Sequence, residues 1–167
     1  MSGDQVVDQL EAIGLAYEII GCDPALADTA EFCAEYGYDL ADSANTILVV
    51  GKSNPRTYVA CVLLANTRLD VNGLIRKRLG IRRTSFASAE ETSEVTGMTM
   101  GGVTPFGLPA GLPVWVDSNV MTRQRIVLGG GSRDRKILAT PQILQHLKNV
   151  EVVPELARTL PVEQSDR

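Results

Sequence analysis

Apolar residues recur along the chain with two periods, a helical one of three to four residues and an extended one of two. Two stretches have the helical period, and each begins with an Asp that can cap a helix and ends at a glycine. They predict helices from Asp4 to Gly14 and from Asp28 to Gly37. Further helices are predicted after the capping box at Ser88, ending near Gly97, between Asp70 and Gly80, and over Gln142–Leu147 after the Thr140-Pro141 cap.

The extended segments are short, rich in β-branched residues and bounded by glycine, proline and asparagine. They predict strands over residues 15–20, 45–50, 58–64, 114–117, 125–128, 136–139 and 150–153. The second and third of these strands flank the turn Gly51–Pro55 and predict a hairpin. Because strands and helices do not alternate as βαβ units, the pattern predicts an α+β fold with a mixed, barrel-like curved β-sheet flanked by helices.

The composition indicates one globular domain. With 167 residues, 44% apolar and 22% charged, the chain can bury a single core. We expect this domain to span residues 1–160 and the tail at 161–167 to be disordered. The longest apolar run, Val59–Ala65, is far shorter than the roughly 20 residues that cross a bilayer. The N-terminus has no signal-peptide pattern, so we expect a cytoplasmic protein without a membrane partner.

Cysteine and histidine usage argues against a disulfide framework, a zinc site and a catalytic triad. Cys22, Cys33 and Cys61 form an odd, widely spaced set and are interpreted as core residues. His146, the single histidine, lies on the C-terminal helix, where a solvated side chain is the simplest interpretation. We therefore expect neither a metal nor another cofactor, and no protein nucleophile stands out.

The net charge of −4 is divided unevenly along the chain. Residues 1–51 contain ten acidic residues and no Lys or Arg, whereas residues 52–148 contain fourteen basic and six acidic residues. This division is compatible with a basic surface that contacts nucleic acid, or simply with two solvated faces. The densest basic cluster consists of Arg76, Lys77, Arg78, Arg82 and Arg83. With few aromatic residues to stack on bases, it favours backbone contact with structured RNA, and no DNA partner is predicted.

A segment rich in glycine and proline, Gly101–Pro109, is the first candidate for chemistry. It contains Gly101, Gly102, Val103, Thr104, Pro105, Phe106 and Gly107. Glycine lets the main chain approach a ligand closely and leaves N–H groups free to bind an ester or a phosphate, while proline fixes the path. A long connection between two strands would account for the same residues. The segment matches neither a P-loop nor the dinucleotide-binding fingerprint.

Two further candidates follow along the chain. Gly129–Gly131, with Ser132 and Arg133, could form a second wall of the same cavity near a terminal phosphate, or a tight turn between strands. Asp117, at the end of a predicted strand, could cap a helix or orient a water or a substrate amine. Taken singly, these patterns leave both interpretations open.

The order of these motifs resembles the YbaK/prolyl-tRNA synthetase-associated domain, the aminoacyl-tRNA editing family. The similar stretch runs from about Asn45 to Val153, and more loosely from Tyr17. It includes Thr46–Val50, Val59–Leu64, Leu69–Leu74, Leu79-Gly80, Thr96-Gly97, the Gly-Gly-x-x-Pro-x-Gly loop Gly101–Gly107, Val116-Asp117 and Gly129–Gly131. The resemblance implies a mixed, barrel-like sheet flanked by helices. It also implies hydrolysis of the ester between a wrong amino acid and the 3′ end of tRNA.

The resemblance further implies which residues act. The glycine-rich loop would bind the aminoacyl group and its carbonyl through the main chain, and water, helped by a tRNA hydroxyl, would attack without a metal or a protein nucleophile. The implied catalytic residues are Asn45, Gly101, Gly102 and Thr104. The implied substrate-binding residues are Leu48, Val103, Pro105, Phe106, Gly107, Asp117, Gly130, Gly131 and Ser132. The implied tRNA contacts are Arg76, Lys77, Arg78, Arg82, Arg83 and Arg133.

One position departs from the family's pattern. The family has a lysine immediately before the Thr-apolar-apolar strand, facing the substrate, where this chain has Asn45. Lys52 lies seven residues further on, which is roughly 23 Å along a strand, and on the opposite face. Either Arg123 or Arg133 supplies the charge, or catalysis is weakened and the protein binds aminoacyl-tRNA or another small ligand without hydrolysis.

The expected partner is the acceptor end of an aminoacyl-tRNA that carries a small amino acid such as alanine. An aminoacyl-tRNA synthetase is a further candidate partner, and the oligomeric state is open. A third hypothesis is a nucleotide- or metabolite-binding domain that shares only the fold with the editing family.

Overall fold

The computed structural model of the protein describes residues 4–160, and the tail predicted at 161–167 lies outside the described residues. The helices are α1 (Gln5–Ile13), α2 (Thr29–Tyr36), α3 (Arg76–Leu79) and α4 (Ala89–Thr96). The strands are β1 (Tyr17–Gly21), β2 (Ala44–Gly51), β3 (Thr57–Leu64), β4 (Thr67–Leu69), β5 (Thr84–Phe86), β6 (Val114–Asp117), β7 (Ile126–Gly129), β8 (Arg135–Ala139), β9 (Val150–Val153) and β10 (Ala157–Thr159). This content confirms the predicted α+β class.

The longer helices begin and end where capping residues and glycines predict. Asp4 Oδ1 accepts hydrogen bonds from two N–H groups in the first turn of α1, at 3.1 and 3.2 Å. Gly14 follows α1 with φ +80°, in the left-handed region that only glycine adopts without strain. Gly37 and Gly97 end α2 and α4 in the same way. Among residues 4–160, no helix is both long and apolar enough to cross a membrane.

Two of the predicted helices have a different hydrogen-bond pattern from the one expected. The C-terminal one is a 3₁₀ helix, Pro141–His146, and the Thr140 side chain makes no capping bond. The basic helix begins with a π-helical turn, Val71–Ile75, in which the last N–H donates to the carbonyl of Asp70 at 3.1 Å. The sequence pattern predicts neither variant, because segments of five and six residues are too short to distinguish the apolar period of a 3₁₀ or π helix from that of an α-helix.

The strands form three sheets. A five-stranded sheet has the order β5-β2-β3-β6-β9, a three-stranded sheet the order β1-β8-β7, and β10 pairs with β4. The β2–β3 pair is antiparallel and confirms the predicted hairpin, whereas β6 runs parallel to both β3 and β9. None of the sheets closes into a barrel among residues 4–160, so the barrel-like part of the prediction is not confirmed. β4, β5 and β10 were not predicted, because three residues are too few to show a period.

The central strand β3 separates two parts of the hydrophobic core. Successive side chains of a strand point to opposite faces. Ala60, Val62 and Leu64 pack on one face with Phe106. Val59, Cys61 and Leu63 pack on the other face with Trp115. The two larger sheets meet at a bridge between Ser43 and Val127, beside which β2 and β7 line a cavity.

Candidate functional site

A cavity of about 380 Å³ opens where the two larger sheets meet. It is lined by the start of α2, by β2, by the end of β5, by α4, by the glycine-rich loop and by β7 and β8. The lining residues are Asp28, Thr29, Phe32, Ser43, Ala44, Asn45, Thr46, Ile47, Leu48, Phe86, Ala87, Thr92, Met100, Gly101, Val103, Val127, Leu128, Gly129 and Lys136. A mainly apolar lining with a few polar groups is usual for a site that takes a small molecule.

Between the bridge at Ser43 and the pairing with β5 at Val49, the edge of β2 that faces away from β3 has no strand partner among residues 4–160, and it runs along this cavity. Ala65 N–H donates to Ser43 O on the β3 side, and Ala87 N–H donates to Leu48 O on the opposite side. Main-chain groups of successive residues point to opposite edges of a strand, so odd-numbered residues of β2 bond to β3 and even-numbered ones face away from it. Thr46 therefore turns its main-chain N–H and C=O toward the cavity, where a ligand can pair with both.

Asn45 is a neutral amide in the cavity wall. Its Oδ1 accepts a hydrogen bond from Thr29 Oγ1 at the start of α2. This bond leaves the amide N–H groups as the donors that Asn45 can offer a ligand. Thr29, which no sequence motif marks as functional, thus orients one of the residues predicted to be catalytic.

The glycine-rich loop packs directly against the turn between β7 and β8, so the two predicted glycine motifs meet. Gly131 N–H donates to Gly102 O at 2.6 Å. A Cβ on Gly102 would lie 2.6 Å from the carbonyl carbon of Ser132, and one on Gly129 would overlap the carbonyl oxygen of Val103. Glycine is required at both positions because two main chains are in contact there.

Lys136, on β8, is a buried cation in the cavity wall that no motif predicted. It is only 5% exposed, and its Nζ donates to Ala27 O at 2.6 Å and to Gly101 O at 2.9 Å. Its Nζ also lies 5.5 Å from the centroid of the Phe32 ring. Burial lowers the pKa of Lys136. The available signal was a lysine within a strand pattern, since lysine is almost never fully buried without a partner.

Some of the residues predicted from the sequence line the cavity and others do not. Asn45, Gly101, Leu48 and Val103 line it. The lining does not include Gly102, Thr104, Pro105, Phe106, Gly107, Asp117, Gly130, Gly131 or Ser132. The loop therefore contributes only its first residues to the cavity, and the rest of it lies outside the cavity lining.

The second half of the loop faces the core and α1. Phe106 is fully buried in the core, where it packs with Val62 and Leu10 rather than at the cavity. Gly107 N–H donates to Gln9 Oε1 at 2.6 Å, which ties the end of the loop to α1. Among the described residues, Thr104–Gly107 do not line the cavity, so their contact with a substrate stays a prediction.

Asp117 is an interior capping residue. It is fully buried, and its Oδ2 accepts from Asn119 N–H at 3.3 Å at the start of a 3₁₀ helix. Its Oδ1 accepts from Ala157 N–H, at 3.1 Å, and so connects β6 to β10. The structure thus supports the capping interpretation, not the water-orienting one.

The turn after β7 faces α1 and α2. A Cβ on Gly131 would lie 2.7 Å from Val6 Cγ2, and Ser132 Oγ donates to Asp134 Oδ1 at 2.6 Å. Arg133 forms an ion pair with Asp28 at 3.0 Å. The same guanidinium also donates to the carbonyls of Met100 at 2.8 Å and Pro24 at 3.0 Å. Arg133 fastens the glycine-rich loop to the segment before α2, which uses most of its donors.

The basic cluster predicted to bind tRNA lies outside the cavity. Arg76 Nε donates to Asn72 O at 2.9 Å, and Arg78 lies over the ring of Trp115 and pairs with Glu151. Lys77, Arg82 and Arg83 are exposed. Three exposed cations on one short stretch can meet a phosphate backbone, so tRNA contact stays a prediction.

The cysteines are buried free thiols. Burial raises the pKa of Cys61 to about 12 and also raises that of Cys22. A thiol that stays protonated at neutral pH is a poor nucleophile. Within the described part of the chain, no three His, Cys, Asp or Glu side chains are placed to hold a metal ion.

Thr104 is fully buried, and its hydroxyl has no hydrogen-bond partner among the described residues. Replacing a buried, unbonded hydroxyl by a methyl group removes a desolvation cost of about 1–3 kcal/mol. We therefore expect Thr104→Val to raise the melting temperature, measured by circular dichroism, or to leave it unchanged. The activity of the folded protein should stay the same. A loss of turnover in the folded variant would restore the catalytic role predicted from the sequence.

Solved structures with the same architecture place the chain in a class. The crystal structure of hypothetical protein APE2540 superposes on this protein with a TM-score of 0.81, and the two sequences are 25% identical. The match covers 92% of this chain and 99% of that one. The crystal structure of a candidate trans-editing enzyme for prolyl tRNA synthetase is 23% identical with a TM-score of 0.77, and covers 92% and 97%. The chain has the fold of these α+β proteins.

The family follows from the sequence match. The family profile of the aminoacyl-tRNA editing domain matches residues 23–147, which is more than half of the chain. The protein belongs to the aminoacyl-tRNA editing domain family, and this confirms the resemblance found in the sequence. The matched segment contains α2, β2, the glycine-rich loop and Lys136.

Proposed function

We propose that the protein is a deacylase that acts in the cytoplasm and hydrolyses the ester between a mischarged, small amino acid and tRNA. The observation that carries the proposal is the cavity between the unpaired edge of β2 and the start of the glycine-rich loop. Both walls lie within the segment that matches the editing family. A cavity of about 380 Å³ exceeds the volume of a small side chain, which leaves room for the terminal ribose of a tRNA.

In this proposal the aminoacyl side chain packs against Leu48 and Val103. The main-chain groups of Thr46 and the amide of Asn45 bind the polar atoms of the amino acid. Water attacks the ester carbonyl with the help of a tRNA hydroxyl, and fixed donors around the carbonyl lower the barrier. An apolar wall discriminates by only about 1–3 kcal/mol per methylene, so the preference is for a size class, not one amino acid.

The basic cluster of Arg76, Lys77, Arg78, Arg82 and Arg83 would contact the tRNA backbone. Contacts of this type position a nucleic acid without reading its sequence. An aminoacyl-tRNA synthetase that charges the same tRNA is the proposed protein partner, because release of a mischarged tRNA supplies the substrate.

A second candidate function is a module that binds aminoacyl-tRNA without hydrolysing it. Asn45 favours this alternative, since a neutral amide holds a carbonyl oxygen less strongly than an ammonium group does. The two functions differ in turnover and not in binding, so one assay separates them.

The test is hydrolysis of a panel of mischarged tRNAs by the wild type, by Asn45→Lys and by Asn149→Lys. Asn149 is exposed and lies outside the cavity, so its variant controls for added charge. We expect the wild type and the control to deacylate one small amino acid–tRNA pair at least about tenfold faster than buffer.

Two outcomes would contradict the deacylase proposal for the natural chain. Turnover by Asn45→Lys alone would mean a complete cavity that lacks one charge. No turnover by any of the three proteins, with tRNA binding retained, would establish the binding module instead.

A further inference from the structure

Lys136 is a cation in the cavity wall that forms no direct ion pair with an acidic side chain among residues 4–160. Its Nζ donates to two main-chain carbonyls, those of Ala27 and Gly101, and none of the ion pairs among residues 4–160 includes it. An ammonium group has three protons, so these two bonds leave one donor. The charge and this donor lie beside the edge of β2 and the start of the glycine-rich loop.

This arrangement is costly for a purely structural role. Removing an ammonium group from water costs several kcal/mol unless an opposite charge compensates. A neutral donor would bridge two carbonyls without that cost. Asp28, the acidic residue among the described residues that line the cavity, already pairs with Arg133 at 3.0 Å. Asp28 therefore compensates the charge of Lys136 only from a distance, and a buried cation without a direct ion pair favours a ligand that brings or develops negative charge in the cavity.

The other cations proposed from the sequence do not reach the cavity. Arg133 is occupied by Asp28 and by two carbonyls, and it does not belong to the lining. Arg123 pairs with Asp42 at 2.8 Å and lies in a separate depression beside Tyr38. Lys136 is the basic side chain that lines the cavity among the described residues.

We propose that Lys136 binds the carbonyl oxygen of the substrate ester and stabilises the negative charge that develops on it. The inference rests on the proposed deacylase function. It names Lys136 as the residue that supplies the positive charge that Asn45 lacks. Through Gly101 O, the same ammonium also fixes the loop that borders the reacting ester.

The step balances as an ester hydrolysis. The oxygen of water bonds to the carbonyl carbon, and the carbonyl π electrons move to the oxygen that Lys136 binds. The tetrahedral oxyanion collapses, and the bond to the ribose oxygen breaks. The proton lost by water reaches the ribose oxygen by way of solvent, which yields the free amino acid and the tRNA hydroxyl. Lys136 keeps its proton throughout and acts by charge and hydrogen bonding.

The first test compares Lys136→Met with Lys148→Met, an exposed lysine outside the cavity. The substrates are the mischarged tRNA and the matching 3′-O-aminoacyl adenosine, which has the ester but no phosphate. We expect Lys136→Met to lower kcat about 100-fold or more on both substrates, while KM changes by less than about threefold. We expect Lys148→Met to match the wild type. A loss confined to the tRNA would assign Lys136 to a phosphate and overturn the proposal.

A second variant separates the charge from the fastening of the loop. Adding Asn45→Lys to Lys136→Met returns a cation to the same cavity from β2. We expect at least tenfold recovery of kcat, because one placed donor to a developing oxyanion is worth about 10²–10³ in kcat. A folded double variant without any recovery would mean that Lys136 only holds Gly101, and the proposal would fall.

The pH profile gives an independent readout. Lys136 faces Cys22, Cys33, Asp28 and Arg133, and burial, the largest influence, lowers its pKa. The ratio of wild-type rate to Lys136→Met rate should be highest while Lys136 is protonated. It should fall as the pH rises through the pKa of Lys136, which burial lowers from the ordinary value of a lysine. A ratio that stays constant with pH would contradict a role for the charge.

A binding experiment distinguishes failure of this inference from failure of the proposed function. A phosphonate monoester of adenosine with a 1-aminoalkyl group carries a fixed negative charge in a tetrahedral arrangement, and the matching amide is neutral. We expect Lys136→Met to weaken the phosphonate at least tenfold and the amide less than twofold. Equal effects on both probes would overturn the inference, even if the wild type deacylates tRNA. If no tRNA is deacylated but the phosphonate effect is found, the deacylase function fails and the anion site stands.

Discussion

Gly102→Ala is expected to lower the free energy of unfolding by about 1–3 kcal/mol and to reduce deacylation at least tenfold. The new Cβ would lie within 2.6–2.8 Å of three main-chain atoms of Ser132, none of which can rotate away. The loop must therefore move from the β7–β8 turn, which breaks the hydrogen bond from Gly131 N–H. Gly101 moves with it, and its carbonyl is one of the two acceptors that hold Lys136.

Urea unfolding followed by the fluorescence of Trp115, together with kcat/KM per folded molecule, measures both effects. Gly21→Ala is the matched control, because Gly21 has no left-handed φ and a Cβ there would meet nothing within 4 Å. We expect the control to be as stable as the wild type or slightly more stable. Wild-type stability and turnover in Gly102→Ala would show that the loop and the turn are not in contact.

Asp117→Ala is expected to destabilise the protein by about 2–4 kcal/mol while leaving turnover per folded molecule unchanged. The carboxylate is fully buried and accepts two main-chain N–H groups, from Asn119 and Ala157. Its loss leaves both donors without this acceptor, and it loosens β10 from the end of β6. The side chain is not part of the cavity lining, so the substrate should not sense the change.

The matched control is Asp39→Ala. Asp39 also occupies the N-cap of a 3₁₀ helix, but it is exposed and makes no capping bond. We expect its variant to stay within about 0.5 kcal/mol of the wild type, measured by the urea midpoint. A large fall in kcat/KM of folded Asp117→Ala would return Asp117 to the substrate, as the sequence first suggested.

The secondary structure was largely predictable because its signals are local. Asp4 and Gly14 bound α1 as expected, and the hairpin of β2 and β3 follows from two β-rich runs around one turn. The strands β5 and β10 were not predicted, because they lack such a local signal. Each has three residues, and their pairing depends on distant partners such as Val49 and Leu69.

The site was predictable only in part. Asn45 and Gly101 were expected to act together, and both line one cavity although 56 residues separate them in the numbering. Phe106 and Gly107 were expected beside them, but contacts with the core and Gln9 turn this half of the loop away. The direction in which a loop leaves a cavity depends on what it packs against, and no local motif contains that information.

The sequence by itself determined the family, the α+β class and the presence of two glycine motifs whose main chains must approach something closely. Only the tertiary structure decided that the two motifs approach each other, and that the cation of the cavity is Lys136 on β8. Residue patterns report the face of a strand on which a side chain lies. They do not show whether that face will line a cavity or pack in the core. The contacts that form this cavity wall join Ala27, Gly101 and Lys136, which span more than one hundred positions of the chain.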